Sequence, residues 1–295
     1  MKNLLSISII LFITGFFYGC TVEAKDSPVT AAKIIKLIEK GKDIYFKDIE
    51  IDGDIDFSKI KTRSVESSGT YRAYVQSAVS FVNCTFNGKI IAYSVDENKA
   101  RSYTTFTKNL SFQSCTFKDD VIFTETAVEG IVNFSSSSFE KLADFQGVNL
   151  KYKDNYFTDV KFKGEAKFQR ISCYGNINFK SSVFSENISF QKSLIKGNFS
   201  MGATKYEKYA DFSSVFVLRN VNFNYAKFNE KLTFNNSVFN NKSDFNNVEF
   251  NKNASFKKVQ FRGKSRFNET KAKSEINFDK AIFNLEKPDL ESIKE

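Results

Sequence analysis

The chain has 295 residues, a net charge of +9, 34 Phe, no His and no Trp. Without His it lacks the commonest metal ligand and the commonest general base at neutral pH, which argues against a zinc site or a His-dependent catalytic triad. Lysine is interspersed with Glu and Asp, so the positive balance reads first as a solvated surface and second as a preference for acidic partners.

Residues 1–19 read as an export leader. Lys2 supplies the basic start, and Leu4 to Phe17 is an apolar stretch too short and too early for an ordinary spanning helix. It ends at Gly19-Cys20, which resembles a bacterial lipoprotein signal, although Phe17 and Tyr18 stand where that signal usually has Leu and a small residue. The resemblance implies that Cys20 becomes the acylated, palmitate-bearing first residue, anchoring an exported chain to the cell envelope, at the outer rather than the inner membrane. The alternatives are a retained anchor or an ordinary cleaved leader. Residues 20–26 then form a short polar tether.

Across 27–43 the spacing predicts one capping helix. Ser27-Pro28 has the form of an N-cap followed by Pro at the first helical position. Ala31, Ile34, Ile35 and Ile38 share a face, and Gly41 supplies the stop.

From residue 44 to 284 another period takes over. Phe223, Phe234, Phe245, Phe256, Phe267 and Phe278 recur every eleven residues, with a second series from Phe228 to Phe283 five residues behind, broken at Ala272. Carried back to Phe46, the intervals alternate five and six, giving four columns and a 22-residue cycle. These columns hold 29 of the 34 Phe residues, a regularity that chance does not produce. Two residues before each column position stands a small or aliphatic residue (Ala143, Ala166, Ile188 and Val221, for example), which shares its side of an extended segment. Each short unit thus points two side chains inward. Four such units close a turn, which predicts an all-β solenoid with a Phe-filled core and a polar exterior.

Units such as Ala143-Asp144-Phe145, Ala210-Asp211-Phe212, Val132-Asn133-Phe134 and Ile276-Asn277-Phe278 resemble those of the pentapeptide-repeat proteins. The resemblance implies a right-handed quadrilateral parallel β-helix of about ten coils, 22 residues each. The chain departs from that pattern by using Phe almost throughout and by adding one residue at every second corner, read here as wider corners. Residues 285–295, with Pro288 and a charged end, form a tail expected to shield the last edge.

Insertions near 61–74 and 93–105 interrupt the period between the third and fourth columns of consecutive coils, so they are expected to emerge together. Their Arg63, Tyr71, Arg72, Tyr74, Tyr93, Arg101 and Tyr103 make a candidate binding surface, because loops on a rigid scaffold commonly carry function. The alternative is a packed flap that widens the first coils or covers Ala92, a small residue in a Phe column. Cys84 and Cys115 precede the second column in adjacent coils and are expected to be vertical neighbours, either as free thiols or as a disulfide. Cys173 reads as a small core hydrophobe. Asp52, Asp54 and Asp56 alternate along one strand and read as a solvated face rather than a metal site.

No acid–base constellation is visible, and no catalytic residue, metal or cofactor is expected. Nucleic acid is not an expected partner, because the DNA-like members of the resembling family are acidic and cytoplasmic, whereas this chain is basic and exported. Two readings remain. One is a non-enzymatic, membrane-anchored envelope scaffold or adaptor that contacts another envelope protein. The other is a binder of an anionic polymer or lipid surface through its Lys-rich faces.

Overall fold

Residues 29–152, 154–285, 288 and 293 are described by a computed structural model of the chain. Cys20, the leader, the tether, Ser27 and Pro28 lie outside the described residues, as does most of the tail.

The repeating unit forms very short strands on four sheets. Two of these faces hold 10 strands each, running from Ile44–Lys47 to Ser265–Arg266 and from Ile55–Asp56 to Ile276–Asn277. The face carrying the second column holds 11, because Val29–Thr30 adds a strand beside Glu50–Asp52. The face carrying the fourth column holds 12, since Arg63–Ser67 extends it and Tyr93–Val95 pairs beside Arg101–Phe106. The expected ten coils therefore describe two faces, and the other two are slightly longer because N-terminal and inserted strands join them. Apart from the pairs made by Arg63–Ser67 and Tyr93–Val95, all pairing is parallel, with like residues one cycle apart in register: Phe117 beside Phe139, Phe228 beside Phe250.

Two kinds of corner alternate. In the five-residue intervals the chain turns on a single left-handed residue, such as Ser136, Arg170, Tyr225 and Lys258, with φ between 57° and 60°. A non-Gly residue there costs roughly 1–2 kcal/mol, and the array tolerates it because its amide is fixed by the next coil, as in Ser136 N–H to the Thr158 carbonyl at 2.8 Å. The six-residue intervals spread the turn over one more residue, and among the residues described only Gly53, at φ 87°, takes such a conformation there.

Small polar residues two before a column clip one coil to the next. Ser137 Oγ accepts from the Cys115 amide at 2.9 Å and donates to the Phe112 carbonyl at 2.6 Å, and Ser182, Ser193 and Ser237 repeat the pattern. Inside, rings stack along each column and meet edge-on between columns. Phe168 stacks on Phe145 at 5.0 Å and on Phe190 at 4.9 Å, and its ring lies at 85–90° to Phe157, Phe162 and Phe179. Offset-stacked and edge-to-face contacts are the favoured aromatic geometries, so the core gains from ring arrangement as well as from burial.

The column breaks are repaired locally. Ala92 leaves a gap that Phe106 fills from the fourth column, touching Phe57 and Phe123. Met201 interrupts the first column, and Phe199, two residues earlier, points inward against Phe190 and Phe212 instead. Tyr206 is fully buried between Phe184 and Phe228, and its hydroxyl meets no hydrogen-bond partner among the described residues.

The helix spans Ala31–Glu39 and is capped by Thr30, whose hydroxyl accepts from the Lys33 amide at 3.4 Å. It begins later than Ser27-Pro28 suggested because Val29–Thr30 bond to the second face as a strand. Its Ala31, Ile34 and Ile38 are buried against the first coil. Gly41, at φ 68°, ends it. At the other end Phe278 and Phe283 are only half-buried, and Ile293 of the tail packs against the core.

Candidate functional site

The two insertions fold as hairpins. Arg63–Ser67 pairs antiparallel with Thr70–Val75 through a turn at Ser68-Gly69, where Gly69 takes φ 69°. Tyr93–Val95 pairs antiparallel with Arg101–Phe106. That turn is organised by Asp96, whose Oδ1 accepts from the amides of Asn98 at 2.9 Å and Ala100 at 2.8 Å.

The long strands of the two hairpins then lie side by side in parallel over six residues, from Arg101 beside Thr70 to Phe106 beside Val75. The result is a four-stranded lobe whose inner ends, Val75 and Phe106, are buried in the fourth column. Phe106, the inner end of the lobe's own strand, fills the space beside Ala92, so only that end of the lobe serves as its cover.

Side-chain alternation divides the seven expected residues. Arg72, Tyr74, Tyr93, Arg101 and Tyr103 share one side, through the direct pairs Tyr93–Tyr103 and Tyr103–Arg72. Arg63 and Tyr71 occupy the other, with the Arg63 guanidinium 5.0 Å from the Tyr71 ring centre. On the five-residue side, Tyr93 and Tyr103 lie 5.2 Å apart and Arg72 sits 5.4 Å over Tyr103.

Glu66 pairs with the Arg72 guanidinium, one of its contacts being 3.1 Å. This residue was missed in the sequence; the Ser-Gly hairpin turn between Glu66 and Arg72 is the signal that places them across from one another. Arg72 is thereby neutralised from within, while Arg101 stays exposed. Burial, then the neighbouring Tyr103, raises the Tyr93 phenol above its usual range, so it remains a neutral hydrogen-bonding group. Rigid amphipathic rings beside an arginine are the residue types that dominate protein contacts.

The cysteines take structural roles. Cys84 and Cys115 are free thiols in register; their sulfurs contact the carbonyls of Phe46 and Phe81 at 3.6 Å, the same coil-to-coil clip that serine makes elsewhere. Forming a disulfide would remove both clips. The hydrogen bond to Cys84, together with burial, pushes the Cys115 thiol well above the ordinary range, and burial pushes Cys173 up to about 11.

Contrary to expectation, the three aspartates do not share one strand, because the chain turns between Glu50–Asp52 and Ile55–Asp56, which lie on different faces. Asp52 accepts from Asn87 at 2.6 Å and Asp54 from the Lys89 amide at 2.8 Å. Asp56 caps a short 3-10 turn through Ser58. Each is engaged in holding a coil, and among the described residues no cluster of three or more His, Cys, Asp or Glu is placed to hold a metal ion.

A family model described as pentapeptide repeats (9 copies) matches residues 102–151. The match begins in the lobe's last strand and covers the coils directly beyond it. The chain thus carries pentapeptide repeats there, and the same four-faced cycle continues to Phe283. No curated protein and no solved structure matches the chain. A solenoid of this kind fits a protein-interaction role.

Proposed function

We propose that the protein is a non-enzymatic scaffold of the bacterial cell envelope, which uses its N-terminal lobe to hold another envelope protein. The observation that carries this reading is the assembly of Arg72, Tyr74, Tyr93, Arg101 and Tyr103 on one side of a lobe built from two insertions. The repeat alone does not require those insertions. The Gly19-Cys20 ending supports a lipid at Cys20, and the shortness of the polar tether, residues 20–26, supports a rod held close to that anchor. Mass spectrometry of the mature N-terminus tests the tether, with a diacylated or triacylated Cys20 expected and an unmodified Cys20 contradicting it.

A photo-crosslinker at Tyr93 tests the contact. One envelope protein should be captured, and capture should survive added salt. The second reading, attraction of an anionic polymer or lipid by the lysine-bearing faces, predicts association that weakens steeply with salt. It has less support, because lysines on the second face are paired with acids: Lys163 with Glu140 and Lys227 with Glu249, at 2.8 and 2.7 Å.

A further inference from the structure

Beyond the leader, two Phe residues lie outside the core columns, Phe199 and Phe216. Phe199 substitutes for a missing ring. Phe216 does not: it is half-exposed on the outside of the fourth face, one residue before buried Val217. Its registered neighbours on that outer row are Leu194 above and Val238 below, with Ile282 two coils further on. Leu218, 43% exposed, stands beside them on the same side.

The row is low in charge as well, as its counterpart on the first face is from Tyr45 to Asn222. From Thr105 to Ile282 the outward positions of the fourth face carry no charged residue. The matching row of the second face includes Lys161, Lys205, Lys227, Glu249 and Lys271, and that of the third includes Asp144, Lys167 and Asp211. Absence of charge from the centre of a surface, with polar or charged rims, is the compositional mark of a protein interface.

The rims are basic. Lys192 and Lys196 bracket Leu194, while Lys258 and Arg262 bracket Gln260, three coils or about 14 Å away. None of these four makes an ion pair among the described residues, unlike the paired lysines of the second face; Lys196 instead lies 3.8 Å over the Tyr174 ring.

We propose that the C-terminal half of the fourth face is a second docking surface, for an extended segment of a partner protein whose aliphatic side chains are flanked by carboxylates. Charge complementarity selects this occupant. A second copy packed on the same strip would set Lys192 and Lys196 against Lys258 and Arg262, or against themselves, and like charges oppose such a contact. The strip is one side chain wide and half-buried between exposed neighbours, which suits a single chain better than a bilayer. The proposal rests on the scaffold reading but not on the lobe.

The test uses the full mature chain and a fluorescein-labelled peptide alternating leucine with glutamate. A control peptide replaces glutamate with lysine. The acidic peptide should bind and the basic one should not. Phe216→Ser should weaken binding about tenfold, as loss of a central anchor does, with unchanged circular dichroism since the residue is outside the core. Lys192→Glu combined with Lys196→Glu should also weaken it. Tyr93→Ala should leave peptide binding intact while reducing partner capture by the lobe, so that the two surfaces fail separately. Equal binding of both peptides, or acidic-peptide binding indifferent to Phe216→Ser, overturns the proposal. So does binding to phosphatidylglycerol vesicles that is lost in Phe216→Ser, which would assign the strip to lipid. Dimerisation lost in that variant would assign it to a second copy and overturn the proposal equally.

Discussion

Phe168 and Tyr103 are aromatic residues on neighbouring parts of one rod, and their surroundings differ in kind. Phe168 is sealed among five other rings, each supplied by its own coil or an adjacent one. Tyr103 has a tyrosine on one side, an arginine on the other and solvent beyond. The column spends its aromatic surface on coil-to-coil packing, whereas the lobe leaves part of its surface available. The contrast separates what maintains the rod from what the rod presents.

The comparison is broken most severely within the column. Phe168→Ala should cost about 3–5 kcal/mol and lower the denaturation midpoint, because nearest-neighbour coupling is how such arrays are held. A loss near 1 kcal/mol would mean that the columns are loosely packed. Gly197→Ala should come next. Its Cβ would lie 2.2 Å from the backbone of Gly175 in the preceding coil, so the corner must shift, at about 2 kcal/mol or more. Thermal melts of this variant and wild type provide the check.

Two smaller changes sharpen the distinction. Tyr206→Phe should stabilise the rod by about 1 kcal/mol, since it removes a buried hydroxyl without a partner and retains the stacked ring. A destabilised variant would reveal a hydrogen bond worth keeping. Acid should act on the exterior more weakly still. Asp119, Glu140 and Glu249 are held below the usual carboxylate range, first by hydrogen bonds from Lys141, Lys163 and Lys227. A lowered folded value means that their contribution is present at neutral pH and is lost as pH falls through that range. These exposed pairs are worth under about 1 kcal/mol each. The acid loss in a melting series should therefore be gradual and should diminish in high salt.

The rod was legible in the chain because a buried ring or aliphatic side chain on every face leaves a five–six spacing that no helix or ordinary strand shares. Its corners were not. The left-handed positions are filled by Ser, Arg, Tyr, Lys and Glu as readily as by Asn, so residue identity does not mark them; the neighbouring coil imposes the conformation. Thr30 replaced Ser27-Pro28 as the visible helix cap because pairing with Ile51 and Asp52 drew the preceding residues into a strand. In the lobe, the Tyr and Arg content was plain, but its division into five residues and two depends on strand register. The strip around Phe216 was also readable in principle. It emerges only when the residues one before each column, instead of the columns themselves, are aligned.

The separation of rod from lobe is tested most directly in one triple variant, Tyr93→Ala, Arg101→Ala and Tyr103→Ala. Its thermal unfolding and its in-cell crosslinking to envelope proteins would be measured together. The lobe should lose its crosslinked partner while the melting temperature stays near that of the parent. A partner retained at full yield with a marked drop in melting temperature would show that the lobe is a packed flap of the rod, and would contradict the account.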